Sequence, residues 1–283
     1  MKTRASGYKE AGFRSYGLEL TGPRVPRSTV AVLDYYPKSR RLILSDLVAP
    51  GGDGENLDQA LIDYFHSQSQ DKGLLKRSRL ATNAPLSLPP LLSKRLGSKQ
   101  ALYKDEVDWM NSTWSKLRPR PRRFLDYVHR PLEIYLRHLC PERFAFADAV
   151  GSNQVLLTAR MFKLQENIKF NMIESSPRAS FQRICRTLRA RSFILKSYSS
   201  LADGLEARKD FMQLLQKRMP ELFIFEESVE SLILHLHSFH AFILALTLHL
   251  DHKGYCEKAP PDFPAKSQWT LIPRQQIDWD KIV

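Results

Sequence analysis

The sequence predicts an α/β fold built on a mixed sheet, and three observations carry that expectation. Three strand-like runs with short links open the chain, at Ser15–Leu20, Thr29–Tyr36 and Arg41–Leu47, the pattern of an antiparallel meander. Two more runs, Arg79–Asn83 and Lys169–Glu174, each follow a helical repeat, as a crossover to a parallel strand requires. The chain has 283 residues, 43% of them hydrophobic, enough for one large α/β domain or two small ones.

Each element has a local reason. Residues 1–13 read as a flexible basic arm, and in the run that follows Tyr16, Leu18 and Leu20 alternate with Gly17 and Glu19. Thr29–Tyr36 is rich in β-branched and aromatic residues, and Pro37-Lys38-Ser39-Arg40 turns it into the third run. Asn56 is placed to cap a helix over Leu57–Ser67, whose Leu57, Leu61, Tyr64 and Phe65 repeat at helical spacing. The Arg79–Asn83 run ends in Thr82-Asn83-Ala84-Pro85, where Pro85 and Pro89 stop the strand and force an extended turn. Residues 91–145 read as a helical insertion, with helices at Asp105–Lys116 and Pro131–Leu139 around a basic, proline-broken link. Ser152 caps a helix over Asn153–Gln165, and Ser176-Pro177 leads into a helix over Ala179–Arg189. Leu205–Met219 and a long apolar helix over Ser228–Leu250 follow, then a wrapping tail over 251–283 with a short strand at Trp269–Ile272. The whole is read as a single domain over 1–283.

Charge and composition limit what the protein does. Lys and Arg total 43 against 30 Asp and Glu, a formal net charge of +13, which favours a polyanionic partner, nucleic acid foremost. The basic link supplies Arg118, Arg120, Arg122 and Arg123 as candidate phosphate contacts, although such a run also suits a plain solvated loop. No apolar run reaches the roughly 18 residues that span a bilayer, so no membrane association is expected. The basic, polar start does not resemble a secretory signal, and Cys140, Cys185 and Cys256 form neither a metal-ligand pair nor a disulfide framework. Reduced thiols and a cytoplasmic location are the expectation. Gly51-Gly52-Asp53-Gly54 lacks the following Lys-Ser/Thr of a phosphate-binding loop, and no Gly-x-Ser-x-Gly elbow is present.

Meander, two crossover strands and late helices in this order are the element pattern of an RNase H-like core, a five-stranded mixed sheet flanked by helices. Specific stretches strengthen it: Gly17-Leu18-Glu19-Leu20-Thr21-Gly22, Thr82-Asn83-Ala84-Pro85-Leu86-Ser87-Leu88-Pro89, Ile173-Glu174-Ser175-Ser176-Pro177, the run from His237 to Thr247, and Trp269-Thr270-Leu271-Ile272-Pro273. On these, the sequence resembles the predicted RNase H-like nucleases grouped as domain of unknown function 429. The resemblance implies acidic residues at strand ends and on a late helix, a divalent metal (Mg²⁺ or Mn²⁺) and hydrolysis of nucleic acid. This chain departs from that pattern. Glu19 is a longer acid than the expected Asp, Asn83 stands where an Asp is expected, Glu174 keeps its acid, and His237 and His240 occupy the late-helix positions.

Two-metal hydrolysis needs hard oxygen ligands around ions about 3.5–4 Å apart, and imidazole favours other metals than Mg²⁺. Three readings follow. The site is incomplete or altered and the domain binds nucleic acid; or one metal survives on Glu19, Glu174 and His240, enough for slow or altered hydrolysis, with His237 a further candidate ligand and Asn83 a further candidate catalytic residue; or another acid, Asp34 or Asp46, completes the cluster. A further class is a protein-interaction scaffold in which Trp109 and Trp114 of the helical insertion are exposed anchors. Each site residue also has a structural reading: Glu19 as a solvent-facing charge, Glu174 at a helix start, Asn83 as a turn residue, and the histidines as hydrogen-bonded core residues.

Overall fold

The computed structural model describes residues 12–22, 27–52, 56–97, 99–117, 124–140, 148–151 and 154–282. Most of the basic arm, the arginines at 118, 120, 122 and 123, and the Ser152 cap lie outside the described residues. The chain forms two compact units. The first joins Met1–Asn83, Leu164–Glu257 and Leu271–Val283, and the second joins Ala84–Lys163 and Lys258–Thr270.

The first unit is organised on β1 (Phe13–Glu19), which is buried along its whole length. Its neighbours are β2 (Thr29–Tyr36), antiparallel to it, and β3 (Arg41–Val48), antiparallel to β2. The helices α1 (Leu57–Gln68) and α2 (Lys72–Leu75) then carry the chain back to β4 (Ser78–Thr82), which runs parallel to β1. Asn56 caps α1 as expected, its side chain accepting from the Asp58 and Gln59 amides at 3.2 and 3.3 Å.

The second unit is helical in its described elements: α3 (Pro90–Arg95), α4 (Gln100–Lys116), α5 (Pro131–Ile134) continued by a π-turn at Tyr135–Leu139, and α6 (Gln154–Gln165), whose last two residues belong to the first unit. At its centre the buried Arg130 guanidinium meets Glu133 at 2.7 Å. The tryptophans correct the exposed-anchor expectation. Trp109 is only 8% exposed and packs edge-on against Phe263, while Trp114 is half-buried against Phe124 and His138.

Back in the first unit, β5 (Met172–Ser175) pairs parallel with β4. Next come α7 (Pro177–Thr187), α8 (Ser192–Ser197), α9 (Gly204–Arg218), the two-residue β6 (Leu222–Phe223), α10 (Glu226–Leu234), α11 (Leu236–His252) and the two-residue β7 (Thr270–Leu271), whose first residue belongs to the second unit. The sheet order is β6-β3-β2-β1-β4-β5-β7, a seven-stranded mixed sheet where a five-stranded core and a short strand in the tail were expected. The apolar piece at Leu222 adds β6 at the meander edge, parallel to β3. The long helix expected over Ser228–Leu250 is two helices. His235 takes an extended backbone (φ −113, ψ 113), ends α10 and starts α11, and the axes turn by 114°. No single described helix is long and apolar enough to cross a membrane. All three cysteines are buried.

The packing of α11 on the sheet positions everything that follows. A Cβ built on Gly17 would lie 2.0 Å from the Ala241 carbonyl oxygen and 2.5 Å from the Ala245 nitrogen. Only glycine on β1 allows the α11 backbone to approach this closely. Residues Ser238–Leu250 of α11 are all buried, and the helix packs across β1, β2 and β4.

Candidate functional site

The contact between Gly17 and Ala241 fixes the face on which the site forms. Glu19 lies two residues beyond Gly17 and so projects from the same side of β1, toward α11. His240 immediately precedes Ala241, and His237 lies one turn earlier on the same helical stripe. The carboxylate and imidazoles meet: His240 Nδ1 stands 3.1 Å from Glu19 Oε1, and His237 Nδ1 stands 3.7 Å from the same oxygen. Glu19 is 6% exposed, so it is not a solvent-facing charge. Glu19 Oε2 and His240 Nε2 are buried with no hydrogen-bond partner among the described residues.

Burial pushes the Glu19 carboxyl up, but the charge of His240 and the pull of both imidazoles prevail and hold it below its usual value. The same carboxylate raises His237, against a smaller opposing effect of burial. The Glu19 carboxylate is therefore held between two imidazoles, each of which carries positive charge only when protonated. Tyr198, which no sequence signal marks, tilts against His240 with ring centroids 6.0 Å apart. Burial pushes its hydroxyl up to about 12, with Arg178 and Glu19 acting on it in opposite senses. Neither Tyr198 nor Arg178 belongs to a short motif, and only the packing of α7 and α8 near α11 brings them in.

Asn83 takes no part in this cluster. Its amide reaches across to β1, accepting from the Leu20 N–H at 2.8 Å and donating to the Leu20 carbonyl at 3.0 Å. Backbone pairing between β1 and β4 ends at Leu18 and Thr82, and the Asn83 side chain continues the ladder one step further. That task needs one donor and one acceptor together, which an ionised Asp lacks.

Glu174 is buried on β5 in register with Thr82, which in turn pairs with Leu18. Register partners in a parallel sheet share a face, so Glu174 projects from the Leu18 side, opposite the face that carries Glu19. The proposed acids Asp34 and Asp46 do not complete the cluster either. Asp34 holds the buried Arg14 guanidinium through two bonds of 2.6 and 2.7 Å at the other end of β1, and Asp46 accepts from the Tyr64 hydroxyl at 2.9 Å. These positions do not fit a two-metal carboxylate cage: the Asn83 amide is committed on both atoms, Glu174 is on the far face, and Glu19 faces imidazoles. Among the described residues, no group of three or more His, Cys, Asp or Glu side chains is arranged to hold a metal ion.

Compared with known proteins, the chain matches no family model, no curated protein and no solved structure at a significant level.

Proposed function

We propose that this is an RNase H-like protein, of the kind grouped as domain of unknown function 429, that binds nucleic acid and whose strand-end site is no longer organised for metal-dependent cleavage. The observation that carries the reading is the Glu19 carboxylate faced by His240 at 3.1 Å and His237 at 3.7 Å, so that imidazole nitrogens stand where a cation's further carboxylate ligands would be needed. The resemblance of the strand-end and late-helix motifs supports the fold assignment, and the formal net charge of +13 supports a polyanionic partner. In this reading the cluster fixes α11 on the sheet rim, and the basic surface does the binding. The scaffold alternative loses support because Trp109, one of its two anchors, is buried.

The test is to mix the wild-type chain and Glu19→Gln with labelled single- and double-stranded DNA and RNA, in buffer with Mg²⁺ or Mn²⁺. Binding by both proteins, with the oligonucleotides left intact, is the expected result. Cleavage by the wild type that Glu19→Gln abolishes would instead establish a nuclease, and absence of binding at low salt would remove the nucleic-acid assignment.

A further inference from the structure

At the end of α7 an arginine occupies a position that ordinarily belongs to glycine. The Arg189 N–H donates to the Arg186 carbonyl at 3.1 Å and the Ala190 N–H to the Cys185 carbonyl at 2.8 Å, the paired bonds that close a helix through a left-handed residue. Leu188 is the C-cap, and Arg189 carries φ 54. A side chain in this conformation crowds its own backbone, which glycine avoids. The exposed Arg189 side chain lies at the junction of two grooves. One, of about 550 Å³, is also lined by Arg186, Tyr255, Gln275 and Gln276. The other, of about 270 Å³, is lined by Arg191 and Lys217 as well.

The acids in these grooves are already engaged. Asp278 pairs with Lys281 at 2.8 Å, and Asp210 pairs with Arg191. The remaining balance is basic. Arg178, Gln182 and Arg186 stand at i, i+4 and i+8 of α7, which at about 100° per residue keeps them within roughly 80° of one another, and Arg189 follows just past the helix end at the groove junction. The stripe is exposed at all three arginines.

We infer that this stripe and the groove it enters form a binding track for the phosphate backbone of nucleic acid, with Arg186 and Arg189 contacting phosphate oxygens. Guanidinium groups bind phosphate through paired, charge-assisted hydrogen bonds, and Gln275, Gln276 and the Tyr255 hydroxyl supply neutral partners of the kind that fix a backbone in register. The inference rests on the nucleic-acid reading above and assigns where that contact is made.

The test uses the full chain and a labelled single-stranded oligonucleotide of mixed sequence, with affinity followed against salt. Three variants are compared: Arg189→Gly, Arg186→Gln, and Lys196→Gln as a control that removes one exposed charge from α8 outside the grooves. Each groove variant is expected to weaken binding roughly tenfold at low salt and to flatten the log–log salt slope by about 0.7. Arg189→Gly is at the same time expected to raise the melting temperature by about 2 °C, since glycine suits the left-handed position. Weaker binding in a more stable protein separates a ligand contact from a folding defect. If the wild type binds and both groove variants bind like it, or if Lys196→Gln weakens binding as much as they do, the track is overturned while the nucleic-acid reading stands. If the wild type does not bind at all, both fall.

Discussion

An amide at position 83 follows from what Leu20 presents to it, a free N–H and a free carbonyl just past the end of the β1–β4 ladder. Asn83→Asp would keep the acceptor, lose the donor and bring a carboxylate toward the Leu20 carbonyl oxygen. We expect a loss of about 1–3 kcal/mol in urea unfolding, and no gain of hydrolytic activity. A variant as stable as the wild type would show that the amide bridge contributes nothing. At Glu19 the expected signature is in proton binding. His237 is raised above its usual 6.5, so its contribution to stability is complete below 6.5 and lost as pH rises through its folded value. Glu19 is lowered below its usual 4.5, so its contribution is present above 4.5 and lost as pH falls through its folded value. The cluster is strongest between those two values. Imidazole NMR titration should place His237 above 6.5 in the wild type and return it toward 6.5 in Glu19→Gln; no change between the two would separate His237 from the carboxylate. Little of this was legible in the sequence. The alternation around Leu18 gives the side to which Glu19 points, but not whether that side is water or a helix, and Asn83 reads as a turn residue until Leu20 is seen opposite it.

The pairing of β1 with α11 is the element-scale feature on which the site depends. Gly17→Ala would drive a methyl group into the Ala241 carbonyl, 2.0 Å away, and neither the central strand nor the buried helix has room to yield. We expect a loss of about 3 kcal/mol or more, equivalent to roughly 10 °C in melting temperature. A Gly17→Ala protein with near wild-type melting would mean that α11 does not press on the sheet as described. The meander, the crossover strands and the α1 cap were legible because their periods and caps are local. The break at His235 was not, because the apolar repeat runs through it with neither proline nor glycine to mark it. The 114° turn lets α11 cross the sheet while α10 leaves it, a tertiary demand that no local signal encodes. β6 was faint for a similar reason: it is two residues long and is defined by the strand beside it, whereas β7 falls within the short strand expected at Trp269–Ile272.

The whole molecule combines a sheet of mixed direction, a carboxylate faced by imidazoles at its rim and a formal net charge of +13. The charge was legible from the first line of the sequence, but its placement was not, since Arg178 and Arg186 are eight residues apart on α7 and Arg189 stands beyond the helix end. A polyanion held by such a surface releases counterions when it binds, so affinity must fall as salt rises. The most direct measurement is the affinity of the wild-type chain for a labelled single-stranded oligonucleotide between about 50 and 200 mM salt. The account predicts a straight log–log plot with a slope of about −2 or steeper, the equivalent of three or more phosphate contacts. A flat plot, or no binding at the lowest salt, would contradict it.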